Sequence, residues 1–191
     1  KMFVEKARKI KVGNPLDEQV FMGPLINKEA LYKVESYNQS VIFTPDDNII
    51  LNYTKNMPGY FLSPFIYEIP ATSNCLALKE EVFGPHVAII PFGTMEEVIQ
   101  YTNNSEYAFA LAIHTNDYRK VWKIRNECDF GVGYVNLPTI GAEVHLPFGG
   151  LKKSGSGIPS ASGLLDAVTH KVALTINNDT KIQLAQGLTN K

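Results

Sequence analysis

The protein has 191 residues, with 18 Lys and Arg against 19 Asp and Glu, so its formal charge is −1. Hydrophobic residues make up 45% and charged residues 19%, a globular balance that excludes a disordered, collagen-like or disulfide-dense chain. With no basic excess, an electrostatic footprint for nucleic acid or an anionic membrane is excluded, and the length allows about one domain or one and a half.

Cys75 and Cys128 are too few for a disulfide framework and lack the paired spacing of a zinc site, which fits a reduced, cytoplasmic setting. His86, His114, His145 and His170 show no ligand spacing, so no metal site is expected. No apolar run reaches the roughly 18 residues that span a bilayer. The first ten residues are charged and amphipathic, without a signal core, and read as a helix entered midway because no capping residue precedes them.

Asn27 caps a predicted helix over residues 28–41, in which Leu31, Val34, Tyr37 or Asn38, and Val41 recur on one face. Turn signals at residues 45–48 and 57–59 bracket short β-rich runs such as residues 49–53, expected as edge or excursion strands. Residues 86–92 form a continuous apolar run suited to a strand buried on both faces. Thr94 with Glu97 reads as a capping box opening a helix that carries Val98, Ile99 and Tyr101 and ends near Asn103. Residues 108–113 predict a buried strand. Asn116 or Asp117 caps a third helix, with Gly131 or Gly133 marking its exit, and residues 132–136 predict the next strand.

Strand, helix, strand, helix, strand with short connections implies right-handed crossovers and a parallel sheet, so the fold class is α/β. Beyond the last of these strands, a loop over residues 137–146 leads into a turn with four glycines in nine residues, Gly149, Gly150, Gly155 and Gly157. Such a backbone turns sharply or closely approaches something else. It follows the carboxyl end of a strand, where parallel sheets carry their ligand loops. A short helix near residues 160–167, a strand over 171–176 and a polar tail complete the chain.

Four blocks read in order resemble the NAD(P)-dependent aldehyde dehydrogenase superfamily. They are Val12-Gly13-Asn14-Pro15-Leu16-Asp17 with Met22-Gly23-Pro24-Leu25-Ile26; Gly59-Tyr60-Phe61; Glu80-Glu81-Val82-Phe83-Gly84-Pro85; and Pro147-Phe148-Gly149-Gly150 with Lys152, Ser154 and Gly155. The resemblance runs from about Phe3 to Ile176. It implies the carboxyl-terminal part of a longer enzyme: the coenzyme domain, the catalytic cysteine, the general-base glutamate and the oxyanion asparagine of the family lie upstream of the segment matching Phe3. No catalytic residue is therefore expected in this chain. Family chemistry has the thiolate attack an aldehyde, hydride pass to NAD or NADP, and water hydrolyse the thioester to a carboxylic acid.

Residue by residue, the resemblance assigns Glu81 to the ribose hydroxyls beside nicotinamide, since a carboxylate offers two acceptor oxygens to two vicinal donors. It assigns Phe83 to the face of the nicotinamide ring and Phe148 to the lining of the aldehyde pocket, with residues 137–146 lining it further. That loop's small and polar residues favour a small hydroxylated aldehyde. Without the resemblance, Glu81 reads as a solvated charge, Phe83 as core and Phe148 as the anchor of a glycine-rich turn. Asn136 reads as structural, bridging backbone groups.

The chain also departs from the family. Many relatives have Arg-Glu where it has Ile158-Pro159, and Thr-Glu-x-Lys where it has Thr169-His170-Lys171. The paired charges of a usual subunit contact are thus both absent. The expected organisation is an incomplete catalytic-domain portion over residues 1–168, an oligomerisation strand over 169–177 that pairs with another subunit, and a tail over 178–191. The expected partners are a small aldehyde, the missing coenzyme domain and further copies of the same chain. The isolated chain is expected to be inactive. Two alternatives stand beside this: a stand-alone binding or oligomerisation module with the same fold, and a small hydrolase using Cys128.

Overall fold

A computed structural model of the protein describes residues 1–45, 47–52, 57–141, 143–155 and 163–178. Its first element is helix α1 (Met2–Arg8), entered at Lys1 without a side-chain cap, with Val4 and Ala7 buried. The backbone then turns through an Asx-type bend at Asn14 and returns to helix α2 (Lys28–Ile42). Asn27 caps α2 by accepting from the Ala30 amide at 2.8 Å, and Val34, Tyr37 and Val41 form its buried face.

Strand β1 (Asn48–Leu51) lies at the edge of a three-stranded sheet, one of the two places expected for it. It pairs antiparallel with β2 (Phe65–Glu68), which in turn pairs parallel with β3 (His86–Ile89). The expected strand over residues 86–92 therefore stops early, and Pro91, which has no amide to donate, bars further pairing. The sequence pattern missed β2 because Pro64 and Pro70 confine it to so short a run. It is nevertheless the most deeply buried strand, with Phe65, Ile66 and Tyr67 all at 1% exposure or less. Phe65 and Tyr67 face the principal core with Val34, Tyr37, Val41, Cys75 and Val82, while Ile66 points to the other side with Val4, Ala7 and Leu51. The side-chain period of a strand thus separates two cores.

Helix α3 (Met95–Asn103) follows β3 and opens with the predicted capping box, in which Thr94 and Glu97 satisfy each other's backbone amides. The run over residues 108–113 is split. Tyr107–Ala108 (β4) pairs antiparallel with Leu151–Lys152 (β7), whereas Ala110–Ile113 (β5) pairs parallel with Val132–Val135 (β6). Between β5 and β6 lies α4 (Tyr118–Glu127), capped by Asp117, which packs on α3. This helix ends at Glu127, ahead of the glycines expected to mark its exit, because Cys128 already has an extended backbone.

The fold is α/β with parallel pairs, as the sequence implies. However, β3 bonds to β2 and β5 bonds to β6, so the parallel strands lie in two separate ladders. A short helix α5 (Gly163–Val168) matches the predicted helix over its second part, while residues 160–162 lie outside the described residues. Among the described residues, 169–178 form no ladder, and Val172, Leu174 and Ile176 stand 72%, 80% and 69% exposed. Tyr53, Gly157, Ile158, Pro159 and residues 179–191, all part of the sequence reading, lie outside the described residues.

Candidate functional site

The segment carrying Glu81 and Phe83 leaves a single helical turn (Leu76–Leu78) and runs along α2 into β3. Val82 is buried in the principal core. Glu81 and Phe83 on either side of it are both exposed, Phe83 at 75%. Leaving an aromatic ring in water forgoes about 2 kcal/mol of burial. Phe83 also has φ +54°, in the left-handed region that a β-carbon disfavours. An exposed ring on a strained backbone is poor folding economy, and such outliers gather where a ligand is held.

The turn packs closely on helix α2. A β-carbon at Gly84 would lie 2.6 Å from Val34 Cγ2, so only glycine lets the turn settle on the helix. Lys33 donates to the Glu81 carbonyl at 3.3 Å, and its ammonium stands 5.6 Å from the Phe83 ring centre and 5.8 Å from that of Tyr37. The Tyr37 hydroxyl donates to Glu80 Oε2. That bond to a carboxylate, more than any other influence, pushes the Tyr37 hydroxyl up to about 12.

Phe148 lies in the second half of the molecule. Its ring meets Phe109 edge to face, 5.2 Å between centres at 78°, and both rings remain partly exposed. Phe109 is the residue that divides β4 from β5, and its carbonyl accepts from the amides of Gly131 and Val132. The glycines nearby serve close approach: a β-carbon at Gly131 would sit 1.8 Å from the Gly149 carbonyl oxygen, and one at Gly150 2.4 Å from that of Ser154. In the loop over residues 137–146, the Gly141 carbonyl accepts from the Tyr134 hydroxyl. The loop is less polar than its composition implies, since Leu137, Ile140 and Val144 are exposed.

Lys153, in the glycine-rich turn, pairs with Glu106, and that bond holds its ammonium above the usual lysine range. The Asn136 side chain bridges both backbone groups of Thr115, at 2.9 and 3.0 Å, at a φ of +56° that asparagine tolerates. Cys75 and Cys128 are both buried free thiols. Burial pushes the Cys128 thiol up, the reverse of what a nucleophile needs, which removes the support for a hydrolase built on it. Among the described residues no cluster of His, Cys, Asp and Glu could hold a metal.

Lys33, Tyr37 and Phe109 were not legible as site residues. For Lys33 a signal existed, because a lysine and an aromatic four positions apart share a helix face. Phe109 carried none: it sits in an unbroken apolar run, and only the return of residues 148–152 singles it out.

Residues 1–173 match the profile of the Aldehyde dehydrogenase family. The chain belongs to that family. Its relatives include the 2-aminomuconic semialdehyde dehydrogenase of Bos taurus, 35% identical over 185 residues that cover 93% of this chain and 38% of that protein. The betaine aldehyde dehydrogenase of Mesorhizobium japonicum is 32% identical, covering 81% of this chain and 32% of its own length. Among solved structures, betaine aldehyde dehydrogenase from Staphylococcus aureus in complex with NAD+ superposes with a TM-score of 0.78 at 28% identity, covering 87% of this chain and 33% of that one. GapN, a glyceraldehyde-3-phosphate dehydrogenase from Methanocaldococcus jannaschii complexed with NADP, gives 0.74 at 35% identity, covering 82% and 33%. This aldehyde dehydrogenase chain thus spans only about a third of the length of the relatives it matches.

Proposed function

We propose that the chain is the carboxyl-terminal part of an NAD(P)-dependent aldehyde dehydrogenase that oxidises a small aldehyde to its acid, and that it supplies the coenzyme-facing and substrate-facing walls of a site whose nucleophile lies elsewhere. The observation that carries this reading is the exposed pair Glu81 and Phe83, held on one side of a strained turn within a family motif. Its support also includes the short span relative to family members and the burial of both cysteines. In this reading residues 1–168 belong to the catalytic domain, residues 169–177 pair with another subunit, and residues 178–191 form a tail.

The donor set suits the coenzyme. A carboxylate in solvent accepts from both hydroxyls of a ribose, and an exposed ring beside it offers a flat apolar face to nicotinamide. When bound, NAD or NADP takes up the hydride of the oxidised aldehyde. Glu81 would fix the ribose and Phe83 would limit where the ring can swing, so that hydride has a short path. Phe148, braced by Phe109, would exclude water from the aldehyde. Both cysteines are buried, so on this reading the isolated chain is expected to be inert toward aldehydes.

Glu81→Gln in the full-length enzyme tests the reading. The amide loses one acceptor and the charge, so coenzyme affinity should fall by about 1–3 kcal/mol, the range for a hydrogen bond to a charged group, with aldehyde KM little changed. Unaltered coenzyme binding would refute the assignment. Turnover by the isolated chain with NAD or NADP would refute its dependence on an upstream domain.

A further inference from the structure

We propose that Tyr37 and Glu80 are positioning residues, a hydrogen-bonded pair through which helix α2 sets the attitude of the Glu81–Phe83 turn. The inference rests on the reading of Glu81 as a coenzyme contact and names what prepares it. Tyr37 is held rigidly: its ring is only 6% exposed and packs in the core with Val34 and Val41, so its hydroxyl emerges from α2 at a fixed point. Glu80, by contrast, is exposed, and its carboxylate has no need of a partner for solvation. Because water also reaches the Glu80 carboxylate, the net contribution of this bond to stability is modest. The bond does fix the side-chain rotamer and backbone of the residue immediately before Glu81.

The other anchors of the turn leave that freedom unassigned. Val82 in the core and Gly84 against Val34 hold the turn down on α2. Both act at residues 82 and 84, after Glu81. Tyr37 acts before it through Glu80, while Lys33, one turn earlier on the same helix face, reaches the Glu81 carbonyl and stands 5.8 Å from the Tyr37 ring centre and 5.6 Å from that of Phe83. Helix α2 thus bonds both Glu80 and Glu81, the residues on either side of the peptide that joins them. Charge-assisted hydrogen bonds are the strong and directional kind, which suits a device for preorganisation.

The test is made in the full-length enzyme with Tyr37→Phe, Glu80→Gln, Glu81→Gln and the double variant Tyr37→Phe/Glu81→Gln. Calorimetric titration with NAD and NADP reads affinity, and hydrogen exchange in the unliganded protein reads the amides of residues 82–84. Tyr37→Phe and Glu80→Gln should each weaken coenzyme binding about 5- to 10-fold and accelerate exchange at those amides by a similar factor, while the unfolding temperature stays near that of the parent. Because the pair acts through Glu81, the double variant should bind no more weakly than Glu81→Gln alone. Multiplying losses in the double variant, or unchanged affinity in Tyr37→Phe when Glu81→Gln is impaired, would overturn the proposal. If Glu81→Gln itself binds normally, the underlying assignment falls and the proposal with it. Should Tyr37→Phe fail to fold, Glu80→Gln paired with Glu81→Gln completes the same cycle.

Discussion

Phe83 and His86 are three residues apart and meet opposite fates. Phe83 is pushed into water on a left-handed backbone, whereas His86 is turned inward, where its ring stacks on Phe65 at 5.5 Å and meets the edge of Tyr67 at 5.0 Å. Both ring nitrogens find partners, Asn38 Oδ1 at 2.7 Å and the Tyr67 hydroxyl at 3.0 Å. A neutral imidazole satisfies both by donating from Nδ1 and accepting at Nε2. Burial holds this histidine down to about 4. An unfolded histidine titrates near 6.5, so as pH falls below that value the unfolded chain takes up a proton that the folded one refuses. Stability is therefore complete above about pH 6.5 and is lost progressively toward pH 4. With allowance for solvent around the half-buried ring, the loss between pH 7 and pH 5 should be about 1 kcal/mol. Urea midpoints at the two pH values measure it, and His86→Gln should flatten the slope; an equal slope in that variant would remove His86 as its source.

At the scale of elements, α3 is the helix most completely written in its own sequence. Thr94 accepts from the Glu97 amide at 3.2 Å, and the Glu97 carboxylate returns to the Thr94 amide at 3.3 Å and the Gly93 amide at 2.6 Å. No residue of α3 is fully buried, so this helix depends on its cap more than α2 does. Thr94→Ala should cost about 1 kcal/mol, read as a lower urea midpoint with an unchanged slope. A loss below a few tenths would mean that tertiary packing alone maintains the helix. The N-terminal caps of α2, α3 and α4 and their helix periods were legible because they depend on residues two to four apart. Strand partners were not. The division of β4 from β5 at Phe109 follows from two different strands, β7 and β6, returning to claim the two halves of one apolar run.

For the whole molecule, the outstanding feature is the apolar surface left in water. Val172, Leu174 and Ile176 alternate in the sequence and are all exposed. Alternation of this kind is the mark of a strand with one buried side, and no described element covers it. If residues 169–177 pair between subunits as proposed, Leu174→Asp should shift the full-length protein toward smaller species, measured by light scattering after size exclusion. An unchanged mass would remove these residues from the subunit contact.

The sequence by itself determined the helices with their caps, the α/β class, the family and the motif positions of Glu81, Phe83 and Phe148, because each is carried by short-range spacing or by residues adjacent along the chain. Tertiary structure alone decided that β2 is the central buried strand, that Phe109 braces Phe148, and that Tyr37 holds Glu80 from 43 residues away. Such pairings depend on where the chain returns after turns and crossovers, and the residues involved look locally like ordinary core or ordinary surface.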